Sequence, residues 1–326
     1  MDSMVLGRGK KALLLGSGFV TEPTVDILVK ANVHVTIGNR TLETAQKLAG
    51  KFSNTSAISI DVFDEAALEA EVAKHDVTIS LIPYIYHTKV INAAIKAKKH
   101  VVTSSYVSPA IAELDEKCKE AGITVMNEIG LDPGIDHLYA VKTIDEVHKE
   151  GGKILSFLSY CGGLPAAECS DNPLGYKFSW SSRGVLLALK NSAKYYKDGK
   201  IEEVSSEDLM GSAKPFHTGY QGYNFVAYPN RDSTPYRERY SIPEAQTIIR
   251  GTLRYAGFPE FVKAIVDIGF LDETEKEYLK DDKNITWKEL TAKQLGSSSN
   301  GYDDLVWAIG SKTTFKGKLA LRLLGR

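Results

Sequence analysis

Cysteine, long apolar runs and net charge are all scarce in this chain, and each shortage excludes something. Three cysteines among 326 residues, Cys118, Cys161 and Cys169, have no metal-ligand spacing. An odd and sparse count fits a reducing compartment rather than a disulfide framework, and the expected location is cytoplasmic. No run approaches the roughly 18 apolar residues of a membrane span, so no membrane partner is expected. Lys plus Arg number 40 and Asp plus Glu 41, a net charge of −1. That balance lacks the basic field of a nucleic-acid protein. Arg8, Lys10 and Lys11 precede an apolar run of only Ala12 to Leu15, which is no signal peptide, and Met1 to Gly9 reads as a loose leader. No Ser-His-Asp, His-Glu-x-x-His or other metal or hydrolytic constellation stands out, so no metal site is expected. The apolar fraction, 43%, is ordinary for a globular protein, and the length favours two domains.

What is present is concentrated first between Lys10 and Arg40. Ala12 to Leu15 reads as a strand buried on both faces. Gly16-Ser17-Gly18 follows at once, then a helix pattern with Val25, Ile27, Leu28 and Ala31, then a strand through Val33, Val35 and Ile37. Gly16 permits a sharp turn, and Gly18 lets a pyrophosphate approach backbone N–H groups at a helix start. Thr21 stands where a third glycine would complete G-x-G-x-x-G. The strand–turn–helix context nevertheless predicts a dinucleotide site at this glycine turn. At the end of the second strand stand Asn39-Arg40-Thr41, with no acidic residue before Glu43. A guanidinium there favours the 2′-phosphate of NADP(H) over NAD(H). The plainer alternative is a solvated Arg40 beside Thr41 as a helix cap.

Further strands are expected over Ala57 to Val62, Asp76 to Pro83, His100 to Thr103 and Ile123 to Met126. Helices are expected over Thr41 to Gly50, Asp64 to Lys74, Tyr84 to Lys98 and Pro109 to Ala121. This alternation is the signature of a parallel α/β sheet. Asp61 and Val62 end the third strand, where a ring could bond, although Asp61 suits a turn equally well. Ser80, Leu81 and Ile82 end the fourth, and Thr103, Ser104, Ser105 and Tyr106 the fifth. The pattern breaks at Asn127 to His137, a crossover containing Leu131, Asp132 and Pro133, where Asp136 or His137 suits a helix cap.

From Lys153 the texture changes. Ile154 to Cys161 alternates as a strand, a helix is expected over Val185 to Tyr196, and strands over Lys200 to Val204 and Asn224 to Tyr228. Helices are expected over Pro259 to Ile268 and Asp272 to Lys280. Arg183, Arg231, Arg237, Arg250 and Arg254 are read as loop arginines suited to carboxylates, with surface ion pairing as the plain alternative for each. Arg231 and an Arg250-Gly251-Thr252 turn are the favoured clamps. Tyr106, Asp132 and Cys161 are the candidates for proton transfer, each also suited to hydrogen bonding or packing. The expected architecture is α/β: a Rossmann-type parallel sheet over residues 1–131, then an α+β substrate domain with a helical segment over residues 132–326.

Several stretches together, GSGFVTEP, HDVTISLIPY, KKHVVTSSYVSPA, GITVMNEIGLDPGIDH, LSYCGGLPAAECSDNPLGYKFSWSSRGVLLAL, VAYPNRDSTPY and RGTLRYAGFPEF, resemble the fungal saccharopine reductases. These are the NADP-dependent, L-glutamate-forming saccharopine dehydrogenases of the aminoadipate route to lysine. The resemblance spans about residues 10 to 300 of the 326. It implies that L-2-aminoadipate 6-semialdehyde and L-glutamate form an imine that NADPH reduces to saccharopine. It assigns the cofactor to Ser17 to Val20, Asn39 to Thr41, Asp61, Val62, Ile82, Thr103, Ser104, Leu131, Asp132 and Pro133. It assigns the dicarboxylic substrate to Ser105, Tyr106, Asp132, Arg231, Arg250, Gly251 and Thr252, and implies a homodimer through the second domain. One departure from the pattern runs from Gly310 to Arg326. It raises the expectation of a truncated homologue that is poorly stable or inactive, with a non-catalytic NADP-binding or dimerising protein as the alternative. A related amino-acid dehydrogenase with another carboxylated substrate is the second alternative.

Overall fold

The computed structural model describes residues 9–280 and 284–313. The expected leader, apart from Gly9, and the tail from residue 314 lie outside them. The chain divides into two compact units, residues 1–143 and 144–326.

The first unit is a six-stranded parallel sheet in the order β3-β2-β1-β4-β5-β6. Its strands are β1 (Lys11–Leu15), β2 (His34–Asn39), β3 (Thr55–Ser59), β4 (Val77–Ser80), β5 (His100–Thr103) and β6 (Val125–Met126). Central β1 is apolar and sealed on both faces. Leu13 and Leu15 join one core cluster with Leu68, Val90, Ile91 and Val101, while Leu14 joins a second with Val25, Val35 and Ile37. This double burial accounts for the unbroken apolar run. Asp64 caps the helix Glu65–Ala73 by accepting from the Ala67 N–H at 3.0 Å, as its position predicts.

The differences from expectation in this unit have local causes. β3 stops at Ser59, and Asp61 Oδ1 then turns the chain by accepting from the Phe63 N–H at 3.0 Å. The helix expected from Tyr84 is a 3₁₀ turn, Tyr84–Tyr86, followed by His87–Ala97. The helix expected over Pro109 to Ala121 breaks into Pro109–Ala112 and Asp115–Ala121, because a turn between them carries Leu114 into the core. β6 is shorter than Ile123 to Met126; Ile123 is buried before the strand begins. Ile27 faces outward, since one apolar stripe through Val25 suffices for the helix Glu22–Lys30.

The helix Ile135–Lys149 spans the change of unit. The second unit is built on a mixed sheet in the order β10-β11-β12-β8-β9, with β7 along the other edge of β12. Its strands are β7 (Ser156–Cys161), β8 (Ala193–Lys197), β9 (Lys200–Val204), β10 (Lys214–Phe216), β11 (Phe225–Pro229) and β12 (Thr247–Tyr255). The helix expected over Val185 to Tyr196 ends early, at Ser182–Ala188, and Ala193–Lys197 is a strand. The reason is the hairpin turn Asp198-Gly199, with φ +49° and +78°, which pairs Tyr195 with Glu202 and Tyr196 with Ile201. Only Glu277–Lys280 of the expected helix Asp272 to Lys280 is helical. Asp272 instead accepts from the Thr274 N–H and hydroxyl and from Lys276, a local alternative to the helix. The helix Phe258–Asp267 agrees with its apolar pattern and buries Phe258, Phe261, Val262 and Ala264.

The largest correction concerns Arg250-Gly251-Thr252. It is no turn but the middle of β12, the longest strand of the sheet. Gly251 is required there by close packing. A Cβ at this position would lie 2.4 Å from Tyr160 Cε1 and 2.7 Å from the Tyr228 carbonyl oxygen, the latter a backbone atom that cannot swing aside. Gly251→Ala is therefore expected to destabilise the second unit by about 1–3 kcal/mol, the usual cost of overpacking. A lowered urea midpoint with an unchanged m-value would verify this; an unchanged midpoint would contradict it.

Candidate functional site

The turn after β1 leaves open space beside backbone N–H groups. Gly16 has φ +113° and donates to the Gly38 carbonyl at 2.9 Å, tying the turn to β2. Space beside Gly18 is open: a Cβ there would meet nothing within 4 Å. The N–H groups of Gly18, Phe19 and Val20 find no protein acceptor among the described residues. Thr21, in the third glycine's place, is buried, and its hydroxyl donates to the Gly18 carbonyl at 2.7 Å. It closes the turn from within, where a glycine would close it by packing. These features fit a dinucleotide pyrophosphate.

Beside this turn, Ser17, Asn39 and Thr41 converge on a residue that sequence reasoning missed. Thr44 Oγ1 donates to the Thr41 carbonyl at 2.8 Å and accepts from Ser17 Oγ at 3.2 Å and from Asn39 Nδ2. Its position in the first turn of the helix Leu42–Ala49 was the available signal. Arg40 is exposed, and its guanidinium has no partner among the described residues. Asp61 is exposed at its turn, and Val62 and Ile82 pack together against one core cluster.

At the carboxyl ends of β4 and β5, Ser80, His87 and Ser105 form a chain. His87 Nδ1 is 2.9 Å from Ser80 Oγ, and Nε2 is 2.8 Å from Ser105 Oγ. Sequence reasoning placed His87 only within a helix. Burial takes its pKa from 6.5 down to about 4, so the ring is neutral near pH 7, donating from one nitrogen and accepting at the other. Thr103 is wholly buried; its hydroxyl contacts Asn127 and the Ser105 N–H, and its carbonyl accepts from the Ile129 N–H. Ser104 lies against Gly130.

The crossover folds back on itself. The Gly130 N–H donates to the Pro133 carbonyl and the Ile135 N–H to the Gly130 carbonyl, each at 2.9 Å, around a cis Asp132–Pro133 bond. Pro133 is buried and Leu131 exposed. Asp132 Oδ1 accepts from the Tyr106 hydroxyl at 2.7 Å, so two expected proton-transfer residues do meet. Asp136, in the first turn of the helix Ile135–Lys149, accepts from the Gly134 N–H at 2.8 Å.

In the second unit, Cys161 ends β7 opposite Thr252, and Arg250 lies opposite Ser159. Arg250 is buried, with its guanidinium 4.5 Å from the centre of the Tyr236 ring and Nη1 donating to the Tyr236 hydroxyl at 2.6 Å. The Arg231 loop is stitched to it: the Asn230 N–H donates to the Arg250 carbonyl at 2.9 Å and the Arg250 N–H to Ser233 Oγ at 3.0 Å. Arg231 itself is exposed at φ +54°. Tyr236 and Ser233 were not foreseen. The other arginines lie on regular elements and not on loops: Arg183, in the helix Ser182–Ala188, pairs with Glu273, Arg237, in the helix Tyr236–Arg239, donates to the Pro243 carbonyl, and Arg254 is buried on β12 over the Tyr176 and Phe258 rings.

Comparison with known proteins accords with this layout. The saccharopine dehydrogenase NADP binding domain matches residues 12–126, and the saccharopine dehydrogenase C-terminal domain matches residues 130–320. The chain belongs to the saccharopine dehydrogenase family. Within the family, it is 63% identical over 307 residues to the saccharopine dehydrogenase [NADP(+), L-glutamate-forming] of Pyricularia oryzae, covering 94% of this chain and 68% of that protein. It is 62% identical to the Saccharomyces cerevisiae protein of the same name, with the same coverage of both chains. The solved apo form of the yeast enzyme superposes with a TM-score of 0.83 at 61% identity, over 97% of this chain and 71% of that one. Alpha-aminoadipic semialdehyde synthase of Bos taurus is 42% identical over 94% of this chain and 33% of that protein.

His87 generates a pH prediction. Its folded pKa lies below its unfolded value, so between about 6.5 and about 4 the unfolded chain binds a proton that the folded chain refuses. Stability is full above that window and falls as pH drops through it, by roughly 2–3 kcal/mol from this group. Glu244, held down to about 2 by hydrogen bonds from His148 and the Ile154 N–H, acts in a lower window, between about 4.5 and 2. Urea melts at pH 7, 6, 5 and 4 are expected to show the first decline in wild type and a flatter profile in His87→Gln.

Proposed function

We infer that this chain is an NADP-dependent oxidoreductase that reduces the imine formed from L-2-aminoadipate 6-semialdehyde and L-glutamate to L-saccharopine. The open cradle at Gly16 to Val20, with Arg40 at the end of β2 and no carboxylate beside it, carries the cofactor half of this reading. The substrate half is supported by the identity to the two fungal enzymes. NADPH, when bound, supplies the hydride. Among the described residues no group of three or more His, Cys, Asp or Glu could hold a metal ion.

The side chains then have the following roles. Amides of Gly18, Phe19 and Val20 hold the pyrophosphate, and Arg40, with Asn39 and Thr41, holds the 2′-phosphate. Val62 and Ile82 offer apolar surface to the cofactor and Asp61 a hydrogen bond, with Thr103, Ser104, Leu131, Asp132 and Pro133 toward the nicotinamide end. The glutamate ammonium must lose a proton before it attacks the aldehyde; the Asp132 carboxylate takes it at one of its oxygens. The imine nitrogen must be protonated before the imine carbon accepts hydride, and the Tyr106 hydroxyl, bonded to Asp132, is the donor. Cys161 is a second donor candidate. Ser105, Arg231 and the Arg250-Gly251-Thr252 segment take the dicarboxylic arms, Arg250 with its charge already stacked on Tyr236. The first unit is the cofactor domain and the second the substrate and dimerisation domain. The protein works as a cytoplasmic homodimer in lysine biosynthesis. A particle mass in solution twice that of the 35.8 kDa chain by light scattering would support the dimer, and a mass equal to one chain would refute it.

Two measurements test the central claim. NADPH oxidation is expected only when semialdehyde and glutamate are both present; oxidation independent of glutamate would overturn the reaction assigned. Arg40→Glu is expected to raise the Kd for NADPH about 10–100-fold, since a charge-assisted bond is worth about 1.5–3 kcal/mol, while leaving NADH binding nearly unchanged. An equal loss for both cofactors would remove Arg40 from the 2′-phosphate.

A further inference from the structure

Tyr106 is held from both sides by a single residue. The Glu128 N–H donates to the Ser105 carbonyl at 3.1 Å, and Glu128 Oε1 accepts from the Val107 N–H at 3.1 Å. The second carboxylate oxygen lies 3.1 Å from His137 Nε2, on the helix that follows the crossover. To make these contacts at once, Glu128 adopts φ +61°, the left-handed region that a glutamate rarely occupies. An uncommon backbone conformation maintained at a cleft is an observation from which function can be argued. The Glu128 and His137 side chains are both largely buried, while Val107 is exposed. The loop that Glu128 opens ends at Asp132, the acceptor of the Tyr106 hydroxyl. One residue therefore holds the backbone on both sides of Tyr106, Ser105 through its N–H and Val107 through its carboxylate, at the start of the loop that carries Asp132.

We propose that Glu128 is a positioning residue for the Tyr106–Asp132 pair. Its carboxylate length, more than its charge, sets where the Tyr106 hydroxyl stands. The inference rests on the functional reading above for the consequence in turnover, and on geometry alone for the placement of Tyr106. In Glu128→Asp the charge stays, and an aspartate tolerates positive φ better than a glutamate, but the carboxylate withdraws from the Val107 N–H. In Glu128→Gln the length and the acceptor oxygen stay, and the charge is lost.

The test compares wild type, Glu128→Asp, Glu128→Gln, Tyr106→Phe and the double variant Glu128→Asp/Tyr106→Phe. Glu128→Asp is expected to lower kcat about 10–100-fold, the scale of a misplacement near 1 Å. The Kd for NADPH should stay within about twofold, and Glu128→Gln should lose less than Glu128→Asp. Adding Glu128→Asp to Tyr106→Phe should cost no further turnover, because Glu128 acts through Tyr106. A reversed order of the two single variants, or losses that multiply in the double variant, would overturn the proposal. So would a kcat for Glu128→Asp equal to wild type. A second readout needs no turnover. With fluorotyrosine incorporated, the fluorine resonance that disappears in Tyr106→Phe is expected to shift in Glu128→Asp and to shift less in Glu128→Gln. An unmoved resonance in Glu128→Asp would refute the placement. If wild type oxidises no NADPH while the resonance moves as expected, the functional reading fails and the positioning role stands.

Discussion

The first unit depends on the burial of β1 between β2 and β4. Ala12 to Leu15 have almost no exposed surface, and each residue pairs in parallel register with both neighbours, Leu14 with Ile37 and Ile79, Leu15 with Gly38 and Ser80. Parallel strands buried on both faces must cross over through helices, so all their carboxyl ends face the same way. The glycine turn after β1, Asn39-Arg40 after β2, Ser80 at the end of β4 and Thr103 to Tyr106 after β5 are therefore presented at a single sheet edge. These polar residues gather there because the parallel, doubly buried register aligns the strand ends.

Once those ends are aligned, polar side chains lock the loops that leave them. His87 joins β4 to the segment after β5, and Thr103 and Glu128 join that segment to the crossover. The His87 and Thr103 bonds lie in buried or partly buried ground, where a lost partner costs more than in water. The second unit follows the same logic around β12. That strand carries two arginines in its interior, and aromatic faces hold both: Arg250 over Tyr236, Arg254 over Tyr176 and Phe258. Tyr160 fills the space above Gly251 and stacks near Phe216 at 4.6 Å between ring centres. Burial raises its hydroxyl pKa, so it stays neutral beside the sheet.

Legibility varied with the range of the interaction responsible. The strands β1, β2 and β5 were plain because their alternation or apolar density repeats within a few residues. Asp64 was plain as a cap because its partner is three residues away. The meeting of Tyr106 with Asp132 was half legible: both stood at strand ends, but their contact spans 26 positions. Thr44, His87, Glu128 and Tyr236 were missed. Each acts on groups set by chain reversal, and each occupies a helix or loop position where its type is unremarkable. The clearest error, a turn at Arg250-Gly251-Thr252, came from weighing a glycine between an arginine and a threonine as a local signal. The strand there is imposed by β7 on one edge and β8 and β11 on the other.

The amino-acid sequence by itself determined the α/β class of the first unit, the phosphate turn, the absence of a carboxylate beside Arg40 and the family resemblance. These follow from spacing along the chain, where the physics is that of one strand, one turn or one helix face. Tertiary structure alone decided that Arg250 is a buried strand residue, that Ala193–Lys197 pairs as a strand and that Thr44 sits at the centre of the Ser17–Asn39–Thr41 cluster. It also decided that one glutamate holds the backbone on both sides of Tyr106. Those outcomes depend on partners tens of residues away, and a hydrogen bond or a packed ring has no signature in sequence until folding supplies the other half.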